Sequence, residues 1–133
     1  MTVDGLSELT GRAYAGEEKA QVMLGDVNLS GVRSASGLIR SNQDAMLWYR
    51  RAASQGFPLA QVRIGEMFYE SRGADGNLVE SQKWLELAVA QGLARARVNL
   101  AQAKMASGGK LSTRDAVDLL HQFTPAKTPR PGR

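Results

Sequence analysis

The chain has 133 residues, 43% hydrophobic and 23% charged, enough for one globular domain and too few for two sizeable ones. It holds no cysteine and one histidine, His121, which excludes disulfide scaffolds, thiolate or histidine-cluster metal sites and cysteine nucleophiles. The formal charge of +4 comes from 17 Lys and Arg against 13 Asp and Glu, and no apolar run approaches the ~18 residues of a membrane span.

In chain order, the opening Met1-Thr2-Val3-Asp4-Gly5 lacks the basic flank and apolar core of a signal peptide, so a cytoplasmic location is expected. A first helix is predicted over 3–15, ending at Gly16. A second, over 17–30, carries Ala20, Leu24 and Val27 as one apolar stripe. Glu17 and Glu18 then sit in its first turn as acids favoured by the helix dipole. Residues 31–41 read as a loop. Helices over 42–55 and 58–71 follow, with Ala45, Trp48 and Ala52 on one and Ala60, Ile64 and Met67 on the other. Gly56 ends the first of these, and Pro58 suits the opening turn of the next. Further helices are predicted over 79–91, 94–107 and 112–123, the last with Ser112 as N-cap ahead of Asp115. The ending, 124–133, holds three of the four prolines and is expected to be a disordered, basic tail. Lys127, Arg130 and Arg133 in that tail all follow the last acid, Asp118, so most of the excess charge is not a basic face. Binding of nucleic acid through the tail stays a minor alternative.

Two blocks recur. Ala20-Gln21-Val22-Met23-Leu24-Gly25 matches Ala60-Gln61-Val62-Arg63-Ile64-Gly65, and Ala96-Arg97-Val98-Asn99-Leu100-Ala101 follows the same pattern. Trp48-Tyr49 before Ala52-Ala53 and Gly56 matches Trp84-Leu85 before Ala88-Val89 and Gly92. The first copy is four residues longer, and the excess falls in loop 31–41. Insertions in helical repeats map to loops on one edge, where they cost little and sometimes carry contacts.

The pattern Ala-x-x-x-Leu-Gly followed by Ala-x-x-Trp-Tyr-x-x-Ala-Ala-x-x-Gly resembles the Sel-like repeats (SLR), relatives of the tetratricopeptide repeats. Ala20, Leu24, Gly25, Gly31, Ala45, Trp48, Tyr49, Ala52, Ala53 and Gly56 carry the first copy. Ala60, Ile64, Gly65, Phe68, Gly73, Trp84, Ala88 and Gly92 carry the second, while Ser81, Leu85 and Val89 depart from it. The third is degenerate, with Ala101 for the glycine and Leu120 for the tryptophan. The resemblance implies an all-α fold, a short α-solenoid of stacked antiparallel helix pairs, about seven helices in all. A capping helix over 3–15, repeats over 17–56 and 57–92, and a degenerate capping repeat over 93–123 would make up a solenoid domain of residues 1–123. It also implies an adaptor for protein partners. One repeat cannot bury its apolar face, so neighbours stack and the end repeats deviate.

Trp48 and Trp84 read as core, Gly25 and Gly65 as helix contacts rather than a phosphate loop, and Arg50-Arg51 as a solvated face. His121 has no Ser/Asp constellation around it, and a polar ring suits the last turn of its helix. No catalytic residue, cofactor or metal site is expected, and the chain reads as a non-enzymatic binder of another protein or peptide. Stacking leaves a concave surface lined by the first helix of each pair. On it, Asp26, Glu66 and Gln102 point away from the core, with Lys19, Leu59 and Arg95 on nearly the same azimuth. Leu29, Tyr69 and Met105 lie toward one edge, and Tyr and Met are types enriched in interface cores. These nine are the candidate partner-binding residues. An immunity protein neutralising a cognate toxin is the alternative from another class, and a β-lactam-related enzyme a remoter one.

Overall fold

A computed structural model describes residues 3–34, 37–70, 77–108 and 112–123. Seven helices follow one another: α1 (Val3–Tyr14), α2 (Glu18–Ser30), α3 (Asn42–Ala53), α4 (Pro58–Glu70), α5 (Leu78–Ala90), α6 (Arg95–Ala106) and α7 (Thr113–Phe123). Each packs against the one before, and α4 also meets α6, so the array is an α-solenoid of helix pairs. Gly73 and the tail 124–133 lie outside the described residues.

One stop signal recurs. At Gly16, Gly56 and Gly92 the backbone takes φ of 97°, 83° and 91°. Around Gly56 its N–H donates to Ala53 O (2.8 Å), and Phe57 N–H donates to Ala52 O (3.3 Å). The pairs Gly92 to Val89 and Leu93 to Ala88 repeat the geometry at 2.9 and 3.1 Å. This is the Schellman closure, which satisfies the orphan carbonyls of a last turn and needs the left-handed residue in the glycine position. Phe57 and Leu93, the residues just after, turn inward onto the cores beneath them. At the other ends, Ser41, Asn77 and Ser112 accept backbone N–H bonds as N-caps.

The core is serial. Leu9, Ala13, Ala20, Leu24 and Trp48 join α1 to the first pair. Tyr49, Ala52, Ala60, Ile64 and Met67 then fill the space across α3 and α4, and Val62, Leu85, Ala96 and Leu100 continue it through α5 and α6. Each cluster touches only neighbouring helices, as a stacked array requires. Gly25 and Gly65 set the spacing within the pairs. A Cβ at Gly25 would lie 2.7 Å from Tyr49 Cδ1, and one at Gly65 would lie 2.7 Å from Leu85 Cγ. Only hydrogen at those positions admits the large side chains of Tyr49 and Leu85, which are 0% and 1% exposed.

Two expectations need correction. The fully buried aromatic-block position is that of Tyr49 and Leu85, not that of the tryptophans. Trp48 is buried under α1, with Leu9 and Ala13 in its cluster and the Tyr14 ring 4.9 Å away, whereas Trp84 is only half-buried at the edge of the cluster across α3 and α4. Loop 31–41 is also not irregular throughout. It contains an antiparallel ribbon, β1 (Val32–Ser34) and β2 (Gly37–Ile39), with Val32 opposite Ile39 and Arg33 opposite Leu38. Valine and isoleucine favour an extended chain, and four extra residues give room for the return strand.

Candidate functional site

The residues of α2, α4 and α6 that point away from the core are not a simple solvated row. Asp26 on α2 accepts hydrogen bonds from the hydroxyl of Tyr49 on α3 (2.5 Å) and from Arg63 Nε on α4 (2.9 Å), with Arg63 Nη2 at 3.4 Å. One helix pair on, Glu66 accepts from Asn99 Nδ2 at 2.9 Å and pairs with Arg63 at 3.5 Å. Arg63 and Asn99 hold the same repeat position, three residues before Glu66 and Gln102. A polar ladder therefore runs across the first helices, from an acid on one to a donor on the next.

Burial, then the hydrogen bond to Asp26, raises the Tyr49 hydroxyl far above the usual phenol range, so it stays protonated as the donor. Arg63, although burial alone would lower it, is held above the ordinary arginine value by its bond to Asp26. This end of the row is thus a fixed, charged crosslink.

A second set of bonds was missed in the sequence. Gln21 and Gln61, both 4% exposed, accept from Gln55 Nε2 (3.0 Å) and Gln91 Nε2 (2.8 Å). Gln21 also donates to Ala13 O at 3.0 Å. The signal was present as Ala-Gln-Val in two copies and Gln-Gly in two copies. These amides tie the end of each second helix to the body of the first and leave no buried side-chain polar atom unpaired among the described residues.

Four of the nine candidate residues come together. Glu66, Tyr69, Arg95 and Gln102, with Asn99, Glu70 and Leu85, line a cleft of about 300 Å³ between α4 and α6. Tyr69 is 39% exposed at its rim. The other five stand apart. Met105 and Lys19 are exposed on α6 and α2. Leu29 and Leu59 are half-buried and pack against the core cluster across α2–α4. Asp26 is committed to the ladder.

Elsewhere, Arg51 is not merely solvated. Its guanidinium lies 4.6 Å from the Trp48 ring centroid and 5.7 Å from that of Tyr14, and Arg50 lies 6.0 Å from that of Phe68. Glu17 precedes α2 and pairs with Arg12, which holds its carboxyl below the usual range. His121 is exposed in the last turn of α7. Among the described residues no three His, Cys, Asp or Glu side chains cluster as metal ligands, and no helix is long and apolar enough to cross a membrane.

Helix pairs that close on glycine, stack through small residues and crosslink by a polar ladder define a helical-repeat protein of the solenoid class. The chain belongs to the Sel1 repeat family, whose model matches residues 18–57 and 58–93. Among solved structures it is similar to a protective antigen of uropathogenic Escherichia coli strains that displays an SLR fold, with 29% identity and a TM-score of 0.72. That match covers 84% of this chain and 23% of the antigen, so the chain spans about a quarter of its length. It is also similar to a Sel1 repeat protein from Oxalobacter formigenes, with 25% identity, a TM-score of 0.67 and coverage of 92% and 93%. No curated protein matches the chain. Repeats of this family generally mediate protein–protein interaction.

Proposed function

We propose that the chain is a non-enzymatic adaptor that binds a protein or peptide partner on the face of α2, α4 and α6, centred on the α4–α6 cleft. The observation that carries this reading is the gathering of Glu66, Tyr69, Arg95 and Gln102 around one opening, with an aromatic ring at its rim. Aromatic anchors surrounded by polar groups dominate binding energy at protein interfaces.

The test is a titration of a partner recovered with the wild-type chain as bait. Tyr69→Ala should weaken binding by roughly 2 kcal/mol, about thirtyfold, without lowering the melting temperature. Arg95→Ala should act mainly through association rate and lose its effect in high salt. Glu66→Lys is less clean, because Glu66 also holds Asn99 and Arg63. A chain ending at residue 123 should bind as well as the wild type. If that truncation abolished binding while Tyr69→Ala and Arg95→Ala retained it, the basic tail would be the functional element and the cleft would not.

A further inference from the structure

The insertion that lengthens the first repeat forms ribbon β1–β2, and its root is fixed to α2. Gly31 N–H donates to Val27 O at 2.7 Å, and Ser41 N–H donates to Asn28 O at 2.9 Å. Between these anchors the chain carries Arg33 and Arg40 and no acid. Arg33 is opposite Leu38 in the ribbon register, and Arg40 lies two residues beyond Leu38. Arg33 thus lies within the ladder and Arg40 directly follows β2, so each strand of the ribbon carries one arginine near the fixed root.

Both are exposed, and neither forms an ion pair among the described residues. That contrasts with Arg12 and Arg63, each of which holds a carboxylate. Beside the root is a cleft of about 410 Å³ lined by Leu6, Val27, Val32, Ser30, Asp26 and Arg33. The one acid there, Asp26, already accepts from Tyr49 and Arg63. Beyond their mutual pairing the two strands have no further strand partner among the described residues. The corresponding stretch of the second repeat is four residues shorter.

We propose that ribbon β1–β2 docks an acidic, extended segment of a partner protein, with Arg33 and Arg40 holding its carboxylates and the root cleft taking an adjacent apolar side chain. Two like charges on one short ribbon, with no acid on it to pair with, favour an anion that neutralises both, and a guanidinium matches a carboxylate in plane and in spacing. An open strand edge adds main-chain hydrogen bonds to an extended chain laid beside it. The inference concerns the ribbon and does not rest on the α4–α6 cleft.

The experiment is fluorescence anisotropy of the full chain with a labelled short peptide alternating Glu with Val. Its Lys/Val counterpart and a single-stranded RNA serve as comparison probes. The Glu/Val peptide is expected to bind, and Arg33→Ala with Arg40→Ala to weaken it about tenfold, the scale of two exposed ion pairs. Arg33→Lys with Arg40→Lys should recover part of that loss. Lys83→Ala with Arg114→Ala removes the same charge far from the ribbon and should leave binding unchanged, as should deletion of 124–133. Circular dichroism melts confirm that each variant is folded. Absence of binding, equal loss in the distant pair, or loss on tail deletion alone would overturn the proposal. RNA binding that matched or exceeded that of the peptide and depended on Arg33 and Arg40 would assign the ribbon to phosphate instead.

Discussion

Gly25→Ala sets two effects of similar size against each other. Alanine is favoured over glycine in a helix interior by about 1 kcal/mol, so on propensity alone the change stabilises α2. The new methyl, however, would sit 2.7 Å from Tyr49 Cδ1 and 3.0 Å from Tyr49 Cζ, where carbon atoms need about 3.5–4 Å. The ring is 0% exposed and its hydroxyl is bonded to Asp26, so it cannot swing aside without breaking that bond. Overpacking of a well-packed core costs roughly 1–3 kcal/mol and more when the neighbour is rigid. Because the ring is held, the steric cost falls at the upper end of that range and outweighs the propensity gain, and a net loss of about 1–2 kcal/mol is expected. Gly11→Ala is the control, because α1 is helical there and nothing lies within 4 Å of its Cβ position. It should gain about 0.5–1 kcal/mol. Urea unfolding followed by far-UV circular dichroism measures both. Should Gly25→Ala prove as stabilising as Gly11→Ala, the close approach of α2 and α3 would be refuted.

Three other outcomes follow from the packing and charge. Trp48→Ala should cost about 3–5 kcal/mol and Trp84→Ala clearly less, since Trp48 is 7% exposed and Trp84 only half-buried; calorimetric melts of the pair give the order. Asp26→Ala should cost about 1–3 kcal/mol by stranding the buried Tyr49 hydroxyl, and the loss should persist in high salt, where a purely ionic effect would fade. Asp115 is buried, which alone would raise its pKa, yet the bond its carboxylate accepts from Lys104 Nζ, with a further contribution from neighbouring Ser112, holds it below the ordinary 3.8. Its contribution is therefore present above pH about 4 and is lost as pH falls through the lower folded value. The stability gap between wild type and Asp115→Asn in urea titrations should close in that acidic window.

The helices were legible because alanine, leucine and tryptophan recur at helical spacing and Gly16, Gly56 and Gly92 mark three of their ends, and all seven begin and end within about two residues of the expected bounds. The ladder was not, for a physical reason. Its donor position carries Met23, Arg63 and Asn99 in the three copies, so an alignment shows no shared residue. The pairing appears only when successive first helices lie side by side. Azimuth on a single helix places Asp26 and Glu66 away from the core, on the candidate partner face, but ignores the donors that the next helix brings to them. The same limit applies to Leu29 and Leu59, whose covering neighbours belong to other helices. The ribbon was visible only as a difference in repeat length, since three-residue strands are too short to show alternation.

The ladder also explains why the cleft opens where it does, and Asn99→Arg tests that explanation. Between α2 and α4 the donor is Arg63, whose long side chain spans to Asp26 and is 24% exposed. Between α4 and α6 the same position is Asn99, a shorter, neutral donor that reaches only Glu66. The space a longer side chain would fill is the cleft lined by Tyr69, Arg95 and Gln102. Replacing Asn99 by arginine should make the second step resemble the first, with a guanidinium spanning from α6 to Glu66 and filling the opening. Exposed ion pairs contribute about 0–1 kcal/mol, so thermal stability should change little or rise slightly. Partner affinity should nevertheless fall at least as far as in Tyr69→Ala, because the anchor ring loses the space beside it. The measurement is a melt and a partner titration of the same preparation. Unchanged affinity in a folded Asn99→Arg variant would show that the cleft is not where the partner enters, and would leave the exposed ends of α2 and α6, at Lys19 and Met105, as the part of this face still to be tested.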